Sequence, residues 1–503
     1  MKHFISIQDF GLDEILDILE EAQEMVSYAE ERGQPSWPAR NPLAKVTVLM
    51  MEPSTRTRIS TCQAGELMGL RVEAIVGMDA TSFAKKESFI DGMRTLAEEG
   101  TDVLAVRTEW AGGARMASEV YDRMGYATSV INCGDGPNRH PTQAMLNFLT
   151  IMMRLGRVHD FCIGFVGDLR YSRTIHSDLD MIQLLNQRFG DIRIKAVSVP
   201  EAALYEWQKI GLDVQESDSL EFLSDCDIVC ATRIQKERYT DKNELKKVQG
   251  RYSIDVRALS KVLRDNVLIM HPGPRGPEVA PEISEDRHVI MWKQMGYGVP
   301  ARMAIIRRCF EGRLGKVAAL EDALCVLKTI VEESVESRLV KREAGEGAFR
   351  YFMPITERGM VIGHLSLGAG DRVKHLLKKH AGLRGDEGCI HVHEGVKVAK
   401  GTPDERRKDV VVLEGQHIGQ GFYGPIRFME PDVTFNVIKG GTFTKVKADM
   451  PNALPAGIFK CPNDDCITNR DPEAKARFYV QGDMAVCSYC CRPHSRQDII
   501  EKM

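Results

Sequence analysis

Two parallel-sheet α/β domains, followed by a small α+β domain and a zinc-bound β-rich module, make up the architecture predicted by this 503-residue sequence. Three observations carry that expectation. Through roughly the first three fifths of the chain, short β-branched runs alternate with helical patterns and glycines mark the turns, as in parallel sheets built from strand–helix units. Beyond residue 350 the strand-like runs crowd together. Finally, five of the thirteen cysteines fall in the last 43 residues, where the composition turns polar.

The length exceeds what one hydrophobic core serves, so two to four domains are expected. At 43% hydrophobic and 27% charged residues the composition is ordinary for a globular protein, and a net charge of -4 gives no global attraction to nucleic acid or anionic lipid. Any polyanion site must therefore be local. The start, MKHFISIQDF, has no basic segment followed by a long apolar run, and no uninterrupted apolar stretch of about 18 residues occurs. A cytoplasmic protein is expected, with neither membrane nor nucleic acid as partner. Eight cysteines, Cys62, Cys133, Cys162, Cys226, Cys230, Cys309, Cys325 and Cys389, lie scattered among apolar or strand-like neighbours and read as reduced core residues.

Taken in order, DFGLDEILDILEEAQEMVSYA (9–29) sets Leu12, Ile15, Leu16 and Leu19 at helical spacing. VTVLMME (46–52) is a strand that turns at Pro53 into a second helix. DVLAVR (102–107) precedes the helical GGARMASEVYDRMG, and CIGFVGD (162–168) precedes another helix. DIRIKAVSVP and DCDIVCATR add strands, while HPTQAMLNFLTIMMRL (140–155) is a long helix joining two sheets. KTIVEESVESRLVKREAGEGAFR reads as a helix fading into a Gly-rich linker. MVIGHLSL, a helix carrying Val373, Leu376 and Leu377, then CIHVHEGVKV, KDVVVLEG and VTFNVIKGGTFTKVK make the α+β domain. The two histidines of HVH (391–393) share one strand face and read as a solvated edge.

In MEPSTRTRIS (51–60), Ser54 is placed to cap a helix whose free N–H groups and positive dipole end attract anions. Thr55 and Thr57 add hydroxyls. Arg56 and Arg58, two apart, point different ways, so one forks onto a phosphate and the other braces the fold. At the far end, C-x4-C, then twenty residues, then C-x2-C sets Cys461, Cys466, Cys487 and Cys490 as four thiolates. A saturated soft set favours a tetrahedral structural zinc, leaving Cys491 spare and His494 as an unneeded substitute.

STRTR (54–58), VRTEW, HPTQ (140–143), GDLRYSRTIHS (167–177), TRIQKER (232–238) and HPGPRGPE (271–278), in that order, resemble the aspartate carbamoyltransferases over roughly 1–315. STRTR and HPTQ alone would also suit the ornithine enzymes. The resemblance implies transfer of a carbamoyl group from carbamoyl phosphate to L-aspartate, in pyrimidine synthesis, with no catalytic metal. It implies that Ser54, Thr55, Arg56 and Thr57 cradle the phosphate and that Arg107 closes on phosphate and carbonyl oxygen. His140 would polarise the carbonyl, Gln143 would hold the carbamoyl amide, and Arg56, Arg107 and His140 would be the catalytic set. Arg173 and Arg233 would fork onto the two aspartate carboxylates with Gln235 beside them, while the carbonyls of Pro272 and Gly273 receive the amino group. Gly273 stands where the family usually has leucine, a replacement expected to be tolerated. HPGP lacks the cysteine of the ornithine enzymes' HCLP. TSFAKKES (81–88) is similar to the loop that reaches a neighbouring subunit's site, Ser82 and Lys86 being the matches, although the loop's glycines are missing. A homo-oligomer built on a catalytic trimer follows from that likeness.

RKDVVVLEG, CPNDDCIT and CSYC together resemble the regulatory chain of bacterial aspartate carbamoyltransferases, which implies a fused regulatory region. The resulting expectation is a carbamoyl-phosphate-binding domain at 1–140, an aspartate-binding domain at 141–295, C-terminal helices at 296–330 and a linker at 331–350. A regulatory nucleotide-binding-like α+β domain at 351–450 and a zinc-binding domain at 451–503 complete the chain. Gly363 and Val412 depart from the family's acidic residue and lysine, leaving His364, Lys408 and Lys447 as candidate nucleotide residues. Nucleotide control by ATP or CTP is therefore expected to be weak or absent. Two rivals remain open: a carbamoyltransferase with another acceptor, and a zinc-bearing nucleic-acid-binding scaffold.

Overall fold

The computed structural model describes residues 2–31, 43–79, 81–236, 241–243, 252–314, 339–343, 358–381, 390–397, 407–440 and 442–503. The chain divides into two compact units, one of residues 1–323 with 465–474, the other of 324–464 with 475–503.

The first unit carries two parallel sheets. Strands β1 (Lys45–Met50), β2 (Arg71–Val76), β3 (Val103–Thr108) and β4 (Ser129–Asp135) stand in the order β2-β1-β3-β4. Strands β5 (Cys162–Gly167), β6 (Arg193–Val197), β7 (Val214–Ser217), β8 (Ile228–Thr232) and β9 (Leu268–Met270) follow in the order β7-β6-β5-β8-β9. Strands β3 and β5 are buried along their whole length, as expected of parallel strands covered on both faces. Strand β2 is an edge and its residues are largely exposed, although RVEAIV is apolar at four of its six positions.

The helices of this unit are α1 (Leu12–Glu31), α2 (Thr55–Leu67), α3 (Phe89–Glu98), α4 (Gly113–Met124), α5 (Pro141–Leu155), α6 (Arg173–Asn186), α7 (Val256–Lys261), α8 (Met291–Gly296) and α9 (Gly298–Leu314). Ile15, Ile18 and Leu19 of α1 are buried, with Leu12 and Leu16 at the border of the core. One apolar cluster runs from these residues through Val46 and Val48 of β1 and Phe148 of α5 to Phe165 of β5 and Leu179 of α6. Burial of this kind, worth roughly 1.5–3 kcal/mol per large side chain, ties both sheets to the connecting helix α5. The segment Asp465–Ala474 belongs to this unit, where the N–H of Ala111 donates to the Asp465 carbonyl at 2.8 Å and that of Phe89 to the Asp471 carboxylate at 2.6 Å.

The second unit is antiparallel. Strands β10 (Leu339–Glu343), β11 (Arg358–Leu365), β12 (Ile390–Lys397), β13 (Arg407–Glu414), β14 (Thr434–Lys439) and β15 (Thr442–Ala448) form a sheet in the order β10-β15-β14-β11-β13-β12. Helices α10 (Ala369–His380) and α11 (Tyr423–Met429) accompany it, with Val373, Leu376 and Leu377 of α10 buried. Cys325, Cys389 and most of the expected linker lie outside the described residues. Leu339–Glu343 corrects the linker reading, since their backbone pairs with Thr444–Ala448 as an added edge strand. Asp409 is fully buried, and its carboxylate accepts N–H bonds from Gly368, Gly370 and Gly395. It thereby caps the start of α10 and holds the irregular step in β12. The chain closes with β16 (Ala453–Leu454), β17 (Phe478–Gln481), β18 (Met484–Cys487), β19 (Pro493–Ser495) and α12 (Arg496–Glu501).

Candidate active site

Strands β1, β3, β8 and β9 all end at one cavity of about 390 Å³, the place where an open parallel sheet presents its ligand loops. Its lining includes Ser54, Thr55, Arg56, Thr57, Arg107, His140, Gln143, Arg173, Arg233, Gln235, Pro272 and Gly273. The motifs separated by more than two hundred residues therefore converge. Ser82 and Lys86 do not line it; Ser82 begins a short 3-10 turn that ends at Lys86, whose φ is 68°.

Each side chain is delivered by a local device. The Ser54 hydroxyl accepts the Thr57 N–H at 3.4 Å, so the first turn of α2 starts at the cavity. Arg107 sits where the β3–β4 register slips between Val106 and Thr108, a kink that re-aims its side chain. His140 precedes Pro141, the first residue of α5, and its own N–H donates to the Ser177 hydroxyl at 2.8 Å. Arg173 opens α6. After β9, the His271 Nδ1 accepts the Gly273 N–H at 2.7 Å while its Nε2 meets the Glu278 carboxylate at 2.7 Å. Because Nδ1 must be bare to accept, the proton is on Nε2, and the loop is pinned from both ring edges.

Two glycines make room. A Cβ on Gly134 would stand 3.1 Å from the Arg173 guanidinium carbon and 3.2 Å from Arg107 Nη1, and its φ is +114°. One on Gly273, with φ +70°, would stand 2.9 Å from both Cζ and Nε of Arg56. The glycine that replaces the family's leucine is thus matched to the position of Arg56.

Among the described residues five arginines line the cavity, namely Arg56, Arg107, Arg173, Arg233 and Arg302, against a single carboxylate, Glu52. Arg173 donates to both Glu52 oxygens at 2.7 and 3.0 Å and to the Gly136 carbonyl at 2.9 Å, and Arg107 reaches Glu52 at 3.3 Å. Burial, then the charge of Arg173, pushes Arg107 down to about 9 against the pull of Glu52, which still leaves it protonated at neutral pH. Burial and Arg233 lower Arg56 as well. The Nε–H groups of Arg107 and Arg302 are buried without a protein partner, donors suited to an anion.

His140 is held well below the ordinary imidazole range by burial and by Arg107, Arg173 and Arg302. It is neutral. Arg302 donates to the Thr142 hydroxyl oxygen at 3.3 Å, and that hydroxyl lies 3.3 Å from His140 Nδ1. The Thr142 hydroxyl thus sits between the Arg302 guanidinium and the imidazole, and where it donates to Nδ1 the imidazole proton is on Nε2, facing the cavity. Sequence reasoning passed over Glu52, Thr142 and Arg302. Glu52 and Thr142 lie inside quoted motifs, whereas Arg302 looks like any helical arginine.

The thiol sulfurs of Cys461, Cys466, Cys487 and Cys490 are buried and lie within 4.8 Å of one another. Cys461 and Cys490 are 3.7 Å apart, close to the roughly 3.8 Å edge of a tetrahedron with metal–sulfur bonds of about 2.3 Å. His494 Nε2 approaches Cys461 at 3.6 Å. Among the nucleotide candidates, His364 has its Nδ1 2.9 Å from the Thr434 hydroxyl. Burial, then the charges of Lys445 and Lys408, lowers its pKa. Val412 is buried in an apolar cluster with Val361, Val410 and Ile438.

Residues 2–153 match the carbamoyl-phosphate-binding domain of the aspartate/ornithine carbamoyltransferases, and residues 159–309 match their aspartate/ornithine-binding domain. The fold and site are those of a carbamoyltransferase. Residues 456–500 match the metal-binding domain of the aspartate carbamoyltransferase regulatory chain. The aspartate carbamoyltransferase catalytic subunit of Methanocaldococcus jannaschii is 37% identical over 319 residues, spanning 63% of this chain and all of the relative. That of Thermococcus gammatolerans is 35% identical, over 61% of this chain and 96% of the relative. A solved structure of the M. jannaschii subunit overlays with a TM-score of 0.55 at 36% identity, over 63% of this chain and 100% of that one. The Trypanosoma cruzi enzyme in complex with carbamoyl phosphate and aspartate gives 0.54 at 27% identity, over 61% of this chain and 95% of that one. The chain belongs to the aspartate carbamoyltransferase family, with a regulatory-chain metal-binding domain at its C-terminal end.

A pH dependence arises from the neutral His140. Its folded pKa lies below the unfolded 6.5, so as pH falls through that value only the unfolded chain takes up the proton and stability is lost. His140→Gln should flatten the decline of stability between about pH 6.5 and 5, measured by denaturant titration at each pH. An unchanged slope would place the charge of His140 elsewhere.

Proposed function

We propose that this chain transfers the carbamoyl group of carbamoyl phosphate to the amino group of L-aspartate, releasing N-carbamoyl-L-aspartate and phosphate, in de novo pyrimidine biosynthesis in the cytoplasm. The observation that carries the reading is the convergence, among the described residues, of five arginines on one cavity with a single carboxylate. Such a cavity suits two small anions held together, and guanidinium forks suit carboxylate and phosphate. An acceptor with a cationic side chain, such as ornithine, would meet like charge there.

In this reading the phosphate lies at the start of α2 among Ser54, Thr55, Arg56 and Thr57, with Arg107 over it. Gln143 accepts from the carbamoyl amide. The Nε2–H of neutral His140 donates to the carbamoyl oxygen, a bond that strengthens as the oxygen becomes an oxyanion. Arg173 and Arg233 hold the aspartate carboxylates, Gln235 adds a polar contact, and the carbonyls of Pro272 and Gly273 accept from the amine. The amine nitrogen attacks the carbonyl carbon, the carbon–oxygen bond to phosphate breaks, and the departing phosphate takes the amine proton. Arg56 and Arg107 meet the charge that develops on it. Much of the rate comes from holding two anions face to face.

Ser82 and Lys86, absent from their own chain's cavity lining, serve a neighbouring subunit in a homo-oligomer built on a catalytic trimer. In this reading the domains run 1–140 for carbamoyl phosphate, 141–295 for aspartate, 296–330 for the C-terminal helices of the catalytic region, 351–450 for the regulatory-like α+β domain and 451–503 for zinc. The metal held by the four thiolates is zinc, in a saturated structural site where it supplies fold stability and takes no part in the reaction. Nucleotide control is weak or absent: the apolar surroundings of Val412 offer no polar contact, and His364 with Lys408 is what remains.

Wild-type protein supplied with carbamoyl phosphate should yield N-carbamoyl-L-aspartate with L-aspartate and no product with L-ornithine, and Arg56→Ala should cut turnover by about 100-fold or more. Product from ornithine alone would reject the assignment. Stripping the metal with a strong chelator, or Cys466→Ser, should release close to one zinc per chain by elemental analysis and lower the sedimentation mass of the assembly. Retention of full mass by the metal-free protein would dissociate the zinc site from assembly. Saturating CTP should change activity by less than about twofold, and strong inhibition not competitive with carbamoyl phosphate would overturn the reading of weak control.

A further inference from the structure

Behind the cavity wall lies a chain of buried amides ending on a carboxylate that the proposed mechanism does not use. Asp178, on α6, is 1% exposed, and both its oxygens accept from Asn147 Nδ2, at 3.0 and 2.9 Å. Asn147 Oδ1 in turn accepts from Gln143 Nε2 at 3.0 Å and from Gln294 Nε2 at 2.7 Å. Gln294 Oε1 accepts the backbone N–H of His271 at 3.0 Å. Asn147 and Gln294 are buried and Gln143 borders the cavity.

The direction of every amide in this chain is forced from both ends. A carboxylate only accepts, so Asn147 must turn its NH2 to Asp178 and its oxygen to the two glutamines. A backbone N–H only donates, so Gln294 must turn its oxygen to His271 and its NH2 to Asn147. Reversing the chain would set oxygen against carboxylate at one end and N–H against NH2 at the other. The consequence falls on Gln143. With its NH2 committed to Asn147, the atom left for the cavity is its carbonyl oxygen, an acceptor for the carbamoyl NH2. The same hub anchors, through Gln294 and His271, the loop whose Pro272 and Gly273 carbonyls receive the amine.

We propose that Asp178 is a positioning residue for carbamoyl transfer, fixing through Asn147 which end of the Gln143 amide faces the carbamoyl group. The proposal rests on the assigned reaction. Asp178 touches no substrate and acts only through the relay. Burial, opposed by the Asn147 bonds, holds its carboxyl up at about 8, with the charge of Asp180 adding to the rise. The protonated acid could also donate, but it still offers Asn147 a carbonyl oxygen, and the donor-only His271 N–H at the other end keeps the relay from reversing.

Steady-state kinetics on the full-length protein test this, with thermal melting as the control for folding. Asp178→Leu, which removes the acceptor, should raise KM for carbamoyl phosphate by about tenfold, the effect of one lost hydrogen bond. Asp178→Asn, which keeps a carbonyl oxygen for Asn147, should stay within about twofold of wild type. In a Gln143→Ala background, Asp178→Leu should have little further effect on that KM, because the residue through which it acts is gone. An equal effect in both backgrounds, or an unchanged KM in Asp178→Leu, would overturn the relay while leaving the assigned reaction standing. Wild-type protein without turnover would overturn both. If Asp178→Leu fails to fold, Asn147→Ala cuts the same relay one residue closer to Gln143 and is read against the same Gln143→Ala background.

Discussion

Positive charge gathered on one cavity and partly withdrawn from water governs the catalytic unit. Among the described residues five arginines share the cavity with one carboxylate, and burial, with the neighbouring arginines adding to it, holds Arg107 down to about 9 and keeps the His140 imidazole neutral. Excess charge of this kind is stable only where the surrounding fold is rigid enough to hold it. The rigid parts are the ends of β1, β3, β8 and β9, the first turns of α2 and α6, and the His271–Glu278 pair that pins the last loop. An anionic ligand offsets the repulsion, so binding energy and charge neutralisation are one term. That makes Glu52 a stand-in: its carboxylate holds Arg107 and Arg173 in place at the position where ligand oxygens would compete for the same donors.

The same repulsion limits the chemistry. A histidine surrounded by arginines cannot be an efficient proton donor at neutral pH, because its charged form is the costly one. In the proposed reading its contribution is an oriented N–H, with the Thr142 hydroxyl, itself held by Arg302, set against its other ring nitrogen. The amide relay behind Gln143 works on the same principle. In both cases a group that can only donate or only accept, placed outside the cavity, decides the polarity of a group inside it. Catalysis by positioning therefore extends at least one layer of side chains beyond those that would touch substrate.

The parallel strands and the cysteine cluster were legible because each leaves a local mark: β1, β3 and β5 are continuous apolar runs, and the cysteines fall in two close pairs. Strand β2 went unread although it is apolar at four of six positions, because an exposed edge strand shows no regular alternation of buried and exposed side chains. Strand β10 was hidden in a charged stretch, since backbone pairing to β15 sets no demand on side-chain polarity. Among site residues, those in compact motifs were found. Arg302 and Asn147 were not, because a polar residue on a long helix is indistinguishable from a solvated one until the fold shows what it faces.

In the proposed reading, the C-terminal region applies the same accounting to a site that has lost its purpose. Where polar groups remain, they are committed to the fold. Asp409 gives its carboxylate to three backbone N–H groups around α10 and β12, and His364 engages Thr434. Where the related regulatory strand would offer a lysine, Val412 fills an apolar cluster instead. A phosphate-binding surface requires cations whose partners are free to change, whereas this domain has converted one such position to packing and committed others to capping. The four thiols show the opposite pattern, since every one is buried and the tetrahedral spacing is kept. Loss of a ligand contact costs the fold nothing, whereas loss of the metal forfeits an apparent binding energy on the order of 10 kcal/mol. A regulatory domain carried on the same chain as its enzyme, and kept for holding structure together while released from sensing, would therefore retain its metal site beside an eroded nucleotide site.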